Sequence, residues 1–147
     1  MGVRVTTGRF DLATEAANLQ AGRTDVGAVV TFTGVCRDEG GSLAALTLEC
    51  YVDMAIGELE RIEAEARARW PLAGVAIVHR HGRIPVGEDI MMVAVASAHR
   101  MAAFEAAMFL MDYLKTRAPF WKSEEHRDGA TAWVAAKTED DAAAARW

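Results

Sequence analysis

IMMVAVASAHRMAAFEAAMFLMDYLKTRAPFWKSEE (90–125) changes its pattern twice, and those two changes decide the fold. IMMVAVASA (90–98) is a continuous apolar run, as expected of a strand covered on both faces. Arg100 to Arg117 reads as a long helix. Phe104, Met108 and Met111 mark one stripe of it, with Leu110 and Leu114 beside them. Pro119 stops the helix, because the residue before a proline avoids the helical region. FWKSEEH (120–126) then runs extended, so that Phe120, Lys122 and Glu124 share one face of a strand and Trp121, Ser123 and Glu125 the other.

The neighbouring segments repeat this alternation. Downstream, DG at 128–129 signals a turn, TAWVAAK (131–137) a returning strand, and EDDAAAARW (139–147) a final helical turn. Upstream, GVAIVHRHG (74–82) is a strand and RIPVGED (83–89) a turn. DMAIGELERIEAEARARW (53–70) is an amphipathic helix with Met54, Leu59, Ile62 and Ala66 on one face. Its wet side holds Glu63–Arg67 and Glu65–Arg69 in the favourable i,i+4 order. ALTLECYV (45–52) and GAVVTFTGV (27–35) are strands joined by the glycine-rich loop CRDEGGS (36–42). VRVTT (3–7) is a short strand, and Asp11 caps a short helical segment over 11–22. The order β-α-β-β-α-β-β-α-β-β predicts an α+β domain with a mixed or mainly antiparallel sheet, built as one domain over residues 1–147.

The totals narrow the function. Net charge is -5, which argues against non-specific nucleic-acid binding while leaving room for a local basic pocket. No apolar run approaches a membrane span, and the first residues lack the apolar core of a signal peptide. Cys36 and Cys50 have neither zinc nor disulfide spacing, so a reducing cytoplasm is expected. There is no G-x-S-x-G, P-loop, Rossmann fingerprint or H-E-x-x-H.

The cations are unevenly chosen. The chain has 13 arginines but three lysines, Lys115, Lys122 and Lys137. Arginine stays protonated, whereas a lysine in a dry pocket can release its proton. Lys115 continues the Phe104–Met108–Met111 stripe into the last helical turn. It reads either as a cation favoured by the helix dipole or as a partly desolvated general acid/base or nucleophile. Lys122 alone reads as an edge-strand cation that discourages sheet-to-sheet pairing. A chain reversal near Pro119 could instead bring both lysines to one pocket, where each would lower the other's pKa. Arg37 opens the glycine-rich loop, either as a ligand contact or as a solvated loop residue. His99 and Arg100 begin the long helix, where backbone N–H groups suit an anion such as phosphate. HRHGR (79–83) is a weak metal or anion signal, since strand alternation parts Arg80 from His79 and His81.

Taken together, GAVVTFTGVCR (27–37), ALTLECY (45–51), ARARWPLAGVAIVHRHG (66–82), SAHRMAAFEAAMFLMDYLKTRAPFWKSE (97–124) and the closing RW resemble the large, catalytic subunit of molybdopterin synthase. The resemblance runs from about residue 26 to the end. It implies an α/β hammerhead fold with an additional antiparallel sheet. It implies sulfur transfer, without a metal or other cofactor, from the thiocarboxylated C-terminal glycine of a small ubiquitin-like subunit to cyclic pyranopterin monophosphate, forming the dithiolene of molybdopterin. It implies a homodimer within a heterotetramer. Lys115 and Lys122 look like the family's catalytic lysines. Arg37 and the pair His99 and Arg100, the latter acting from a neighbouring subunit, look like its substrate contacts. Phe32 and Met111 would line the pocket, and Lys137 falls where an arginine contributes in relatives. Two departures stand out: the 36–44 loop is short, and Cys50 replaces the histidine of the family's L-E-H-Y stretch. A non-catalytic docking module for a ubiquitin-like tail is the second reading.

Overall fold

The apolar run over 90–98 forms a strand from Asp89 to Ser97, enclosed on both faces as its sequence requires. In chain order the elements are β1 (Gly2–Thr6), α1 (Leu12–Asn18), β2 (Ala28–Val35), β3 (Leu43–Glu49), α2 (Val52–Arg69), β4 (Leu72–Arg80), β5 (Gly82–Pro85), β6 (Asp89–Ser97), α3 (Arg100–Arg117), β7 (Trp121–His126), β8 (Thr131–Val134) and α4 (Thr138–Ala145). The computed structural model describes residues 2–135 and 137–147. Two four-stranded sheets result, ordered β1-β4-β6-β2 and β5-β3-β7-β8. Every pairing is antiparallel except that of β1 with β4. This is the α+β architecture expected, with an antiparallel second sheet.

Strand alternation sorts the first sheet's side chains into two cores. Val75, Ile77, Met91, Val93 and Val95 face α2 and α3, while Ala76, Val78, Met92, Ala94 and Ala96 pack with Leu19 beyond α1. Asp11 caps α1, its carboxylate accepting from the Ala13 N–H at 3.1 Å and the Thr14 hydroxyl at 2.8 Å. A third core of Cys36, Leu43, Leu46, Leu48 and Ile84 joins the second sheet to the end of β2, with Phe120 packed against it.

Three expectations need correcting. The buried face of α2 is Ala55, Leu59, Ile62 and Ala66, and Met54 is exposed. Ala55 precedes Leu59 by a full helical turn, whereas Met54 lies off that stripe. In α3 the buried residues are Ala103, Ala106, Ala107, Phe109, Leu110, Tyr113 and Leu114, and the large side chains of Phe104 and Met108 point outward. Alanines on the sheet-facing side let the helix approach the strands closely, which displaces the bulkier stripe to the surface. RIPVGED is a turn only from Val86, because Gly82–Pro85 is an edge strand on β3. Ile84 is fully buried there and Pro85 ends the strand, a position open to a residue without an N–H.

Candidate functional site

Topology brings several chain segments to one end of the first sheet. β2 and β4 end beside the start of β6, with Val35 and His79 paired to Asp89 and Met91. α3 follows β6 and returns across the same face. Its 18 residues span about 27 Å, close to the length of the nine-residue β6. The last turn of α3, with Lys115, therefore returns to the end of the sheet that holds His79 and Val35. Ala118 leaves the helix in an extended conformation ahead of Pro119, its N–H still donating to the Leu114 carbonyl at 3.3 Å. Two residues later β7 begins.

Lys122 stands on β7 between Leu48 of β3 and Val134 of β8. It occupies an interior strand, so the reading of Lys122 as an edge-strand cation is overturned. By alternation it shares the face of Leu46 and Leu48, turned toward the third core, while Trp121 and Trp133 are exposed. Burial lowers the Lys122 pKa, and the Lys115 and Lys137 ammoniums lower it further against the opposing pull of Glu124 and Asp140. The partly desolvated lysine is thus Lys122, and Lys115 is exposed. Lys137 occupies the N-cap position of α4. The three lysines of the chain therefore influence one centre.

His79 completes it. Alternation places it on the face of Val75 and Ile77, the α3 side of the sheet. Its ring stacks on Phe120 at 3.9 Å between centroids and 14° between planes. Burial pushes its pKa down to about 4, and Lys115, His81 and Lys122 act in the same direction. The sequence pattern did not single it out, because HRHGR resembles any basic strand end and Phe120 lies far along the chain. Among the described residues no three His, Cys, Asp or Glu side chains gather as a metal site.

The other expected residues divide. Met111 is one helical turn before Lys115 on the same face of α3, and it packs against the first core. Phe32 is paired with Val93, shares the face of Val30, and is 42% exposed. Arg37 is exposed, follows the buried Cys36 at the end of β2, and pairs with Glu39. Cys36 belongs to the third core, which Lys122 faces from β7, so the Arg37 loop starts beside that core. His99 and Arg100, by contrast, begin α3 and are exposed. Fifteen residues of helix separate Arg100 from Lys115, about 22 Å along the axis. One chain does not unite them with the lysines.

Neither cysteine is primed as a nucleophile. Burial raises both thiol pKa values, which disfavours the reactive thiolate. Cys50 lines an open cavity of about 320 Å³ with Glu49, Tyr51 and Trp121. By its chemistry, the lysine centre can bind an anionic group and stabilise negative charge developing on an acyl oxygen or sulfur. A lysine of lowered pKa can also exchange protons.

The sequence profile of the MoaE protein family matches residues 5–117. The molybdopterin synthase catalytic subunit of Mesorhizobium japonicum is 60% identical over 146 residues, covering 99% of this chain and 92% of the relative. The solved structure of the molybdopterin biosynthesis MoaE protein from Burkholderia ambifaria superposes with a TM-score of 0.85 at 48% identity, covering 99% of this chain and 97% of that one. A molybdopterin synthase structure from Staphylococcus aureus gives a TM-score of 0.82 at 28% identity, covering 90% of this chain and 96% of that one.

Proposed function

The chain belongs to the MoaE protein family, and from that premise we propose how its lysine centre performs the sulfur transfer of a molybdopterin synthase catalytic subunit. The sulfur arrives as a thiocarboxylate on the C-terminal glycine of a small ubiquitin-like carrier. It is delivered to cyclic pyranopterin monophosphate, forming the dithiolene of molybdopterin. Supporting this assignment is Lys122, part-buried on an interior strand, with its pKa lowered by burial and by the charges of Lys115 and Lys137. A thiocarboxylate and a phosphate are both anions, and a cluster of lysines in an otherwise acidic chain is suited to receive them.

Lys115 acts at the thiocarboxylate and the reacting pterin side chain as general acid/base, or holds charge developing on the acyl group. Lys122 stabilises charge and orients the carrier tail, and Lys137 adds to the same field. Phe32 and Met111 line the pocket. Arg37 contacts the substrate from the loop after β2. His99 and Arg100 hold the substrate phosphate from a second copy of the chain, since their own lysines lie about a helix length away. The outward face of α3, with Met101, Phe104 and Met108 exposed, supports contact with such a copy. The assembly is a homodimer of this chain within a heterotetramer, working in the cytoplasm. No described helix is long and apolar enough to cross a membrane.

The test is reconstitution. The purified chain, the thiocarboxylated carrier and cyclic pyranopterin monophosphate should yield molybdopterin. Carrier binding without product would favour a docking module instead.

A further inference from the structure

The chemistry assigned to the lysines leaves His79 without a task, although its ring lies against the segment that joins them. The Nδ1 atom of His79 is 2.8 Å from the Arg80 carbonyl oxygen. A carbonyl only accepts, so Nδ1 carries the proton and Nε2 holds the lone pair. The ring plane is thereby fixed at the end of β4. Phe120 stacks flat against it, and Phe120 also packs into the third core. Around Pro119 the backbone bonds are local: the Ala118 N–H donates to the Leu114 carbonyl and the Phe120 N–H to the Ala118 carbonyl at 2.9 Å, and neither ties the turn to the first sheet. The stack is thus a cross-link from the first sheet to the residue after Pro119.

We propose that His79 is a positioning residue for sulfur transfer: anchored at Nδ1 by the Arg80 carbonyl and stacked on Phe120, it fixes where β7 leaves α3 and so sets Lys122 against Lys115. The inference rests on the assignment of those two lysines to sulfur transfer. Phe120 lies one residue before β7 and packs on the third core, the side that Lys122 also faces, so a shift of its ring is passed to the start of the strand that carries the ammonium. A misplacement of about 1 Å at a reacting centre costs on the order of 100-fold in rate. An uncharged ring suits the task, because an imidazolium would add another positive charge beside Lys115 and Lys122.

Single-turnover sulfur transfer, with the full chain and thiocarboxylated carrier, tests the role. His79→Ala should slow transfer by on the order of 10- to 100-fold while leaving carrier affinity within about twofold. His79→Phe restores a flat stacking partner and should recover most of that loss. Phe120→Ala should match His79→Ala, and the double variant should be no slower than either. Wild-type rates in His79→Ala, no recovery in His79→Phe, additive losses in the double variant, or a loss confined to carrier affinity would each overturn the proposal. Imidazole 15N spectra of the unmodified chain test the anchor without relying on activity or on any variant's folding. They should show a neutral ring protonated at Nδ1 at pH 6, and a ring protonated at Nε2 would overturn it. An inactive wild-type chain would remove the sulfur-transfer assignment, while the spectra would still judge the anchor.

Discussion

Lys122 is held in a place that suits chemistry better than stability. Its folded pKa is lowered, so the unfolded chain binds the proton more tightly. Stability therefore rises with pH between the lowered value and about 10.5, and at neutral pH the charged lysine is a burden on the fold. Lys122→Met should leave the thermal midpoint unchanged or raise it, while cutting sulfur transfer by on the order of 100-fold or more. Melting curves and turnover measured on one preparation decide this, and a variant that is both active and less stable would contradict the assignment. Lys122→Arg should keep partial activity and move the alkaline fall in rate to higher pH, because the guanidinium does not deprotonate.

At the scale of elements, the closing helix acts as a strap. α4 packs on α3, and Trp147 meets Trp70 and Phe109 edge-on while its indole N–H donates to Asp112 at 2.6 Å. Arg146 pairs with the same carboxylate at 2.8 Å, and Arg69 donates to the Trp147 carbonyl at 2.7 Å. Lys137 sits at the start of this strap, so the anchor bears on the site as well as on the core. Trp147→Ala should cost about 2–3 kcal/mol in denaturant unfolding, through lost aromatic packing and a lost hydrogen bond. A loss below about 0.5 kcal/mol would mean that the strap is ornamental.

The same elements show what the sequence discloses. The bounds of α3 and the break at Pro119 follow from local chemistry, and the structure has them where the pattern puts them. The outward turn of Phe104 and Met108 was hidden, because the sheet-facing alanines look neutral by periodicity yet decide which face can approach the strands. β5 was hidden because a short edge strand ending in Pro85 and followed by Val86-Gly87 reads as a turn until a partner strand is known. Lys115 and Lys122 were legible as residues, and the reversal at Pro119 suggested one pocket for both, but spacing alone left each with a helix-end or edge-strand alternative, since their placement depends on how α3 returns over the sheet. His79 was illegible as a site residue because its partner, Phe120, is remote in the chain.

At the scale of the whole molecule, the roughly 22 Å between Arg100 and Lys115 makes the account depend on assembly. If His99 and Arg100 serve the lysines of a second copy, Arg100→Ala and Lys115→Ala fail for reasons that reside on different chains of each site. A mixture of the two inactive variants, allowed to exchange subunits, should recover up to about a quarter of wild-type activity. Hybrid dimers form about half of such a mixture, and each carries one intact site. No recovery in a mixture shown to contain hybrids would return both residues to another role.

On the proposed function, Lys115 and Lys122 together make this chain a sulfur transferase. That role is tested most directly by molybdopterin formation from cyclic pyranopterin monophosphate and thiocarboxylated carrier, comparing the wild-type chain with Lys115→Ala under conditions where both bind the carrier. The wild type should give product, and the variant should lose on the order of 100- to 10,000-fold. Full activity in Lys115→Ala, or none in the wild type with a competent carrier, would contradict that role.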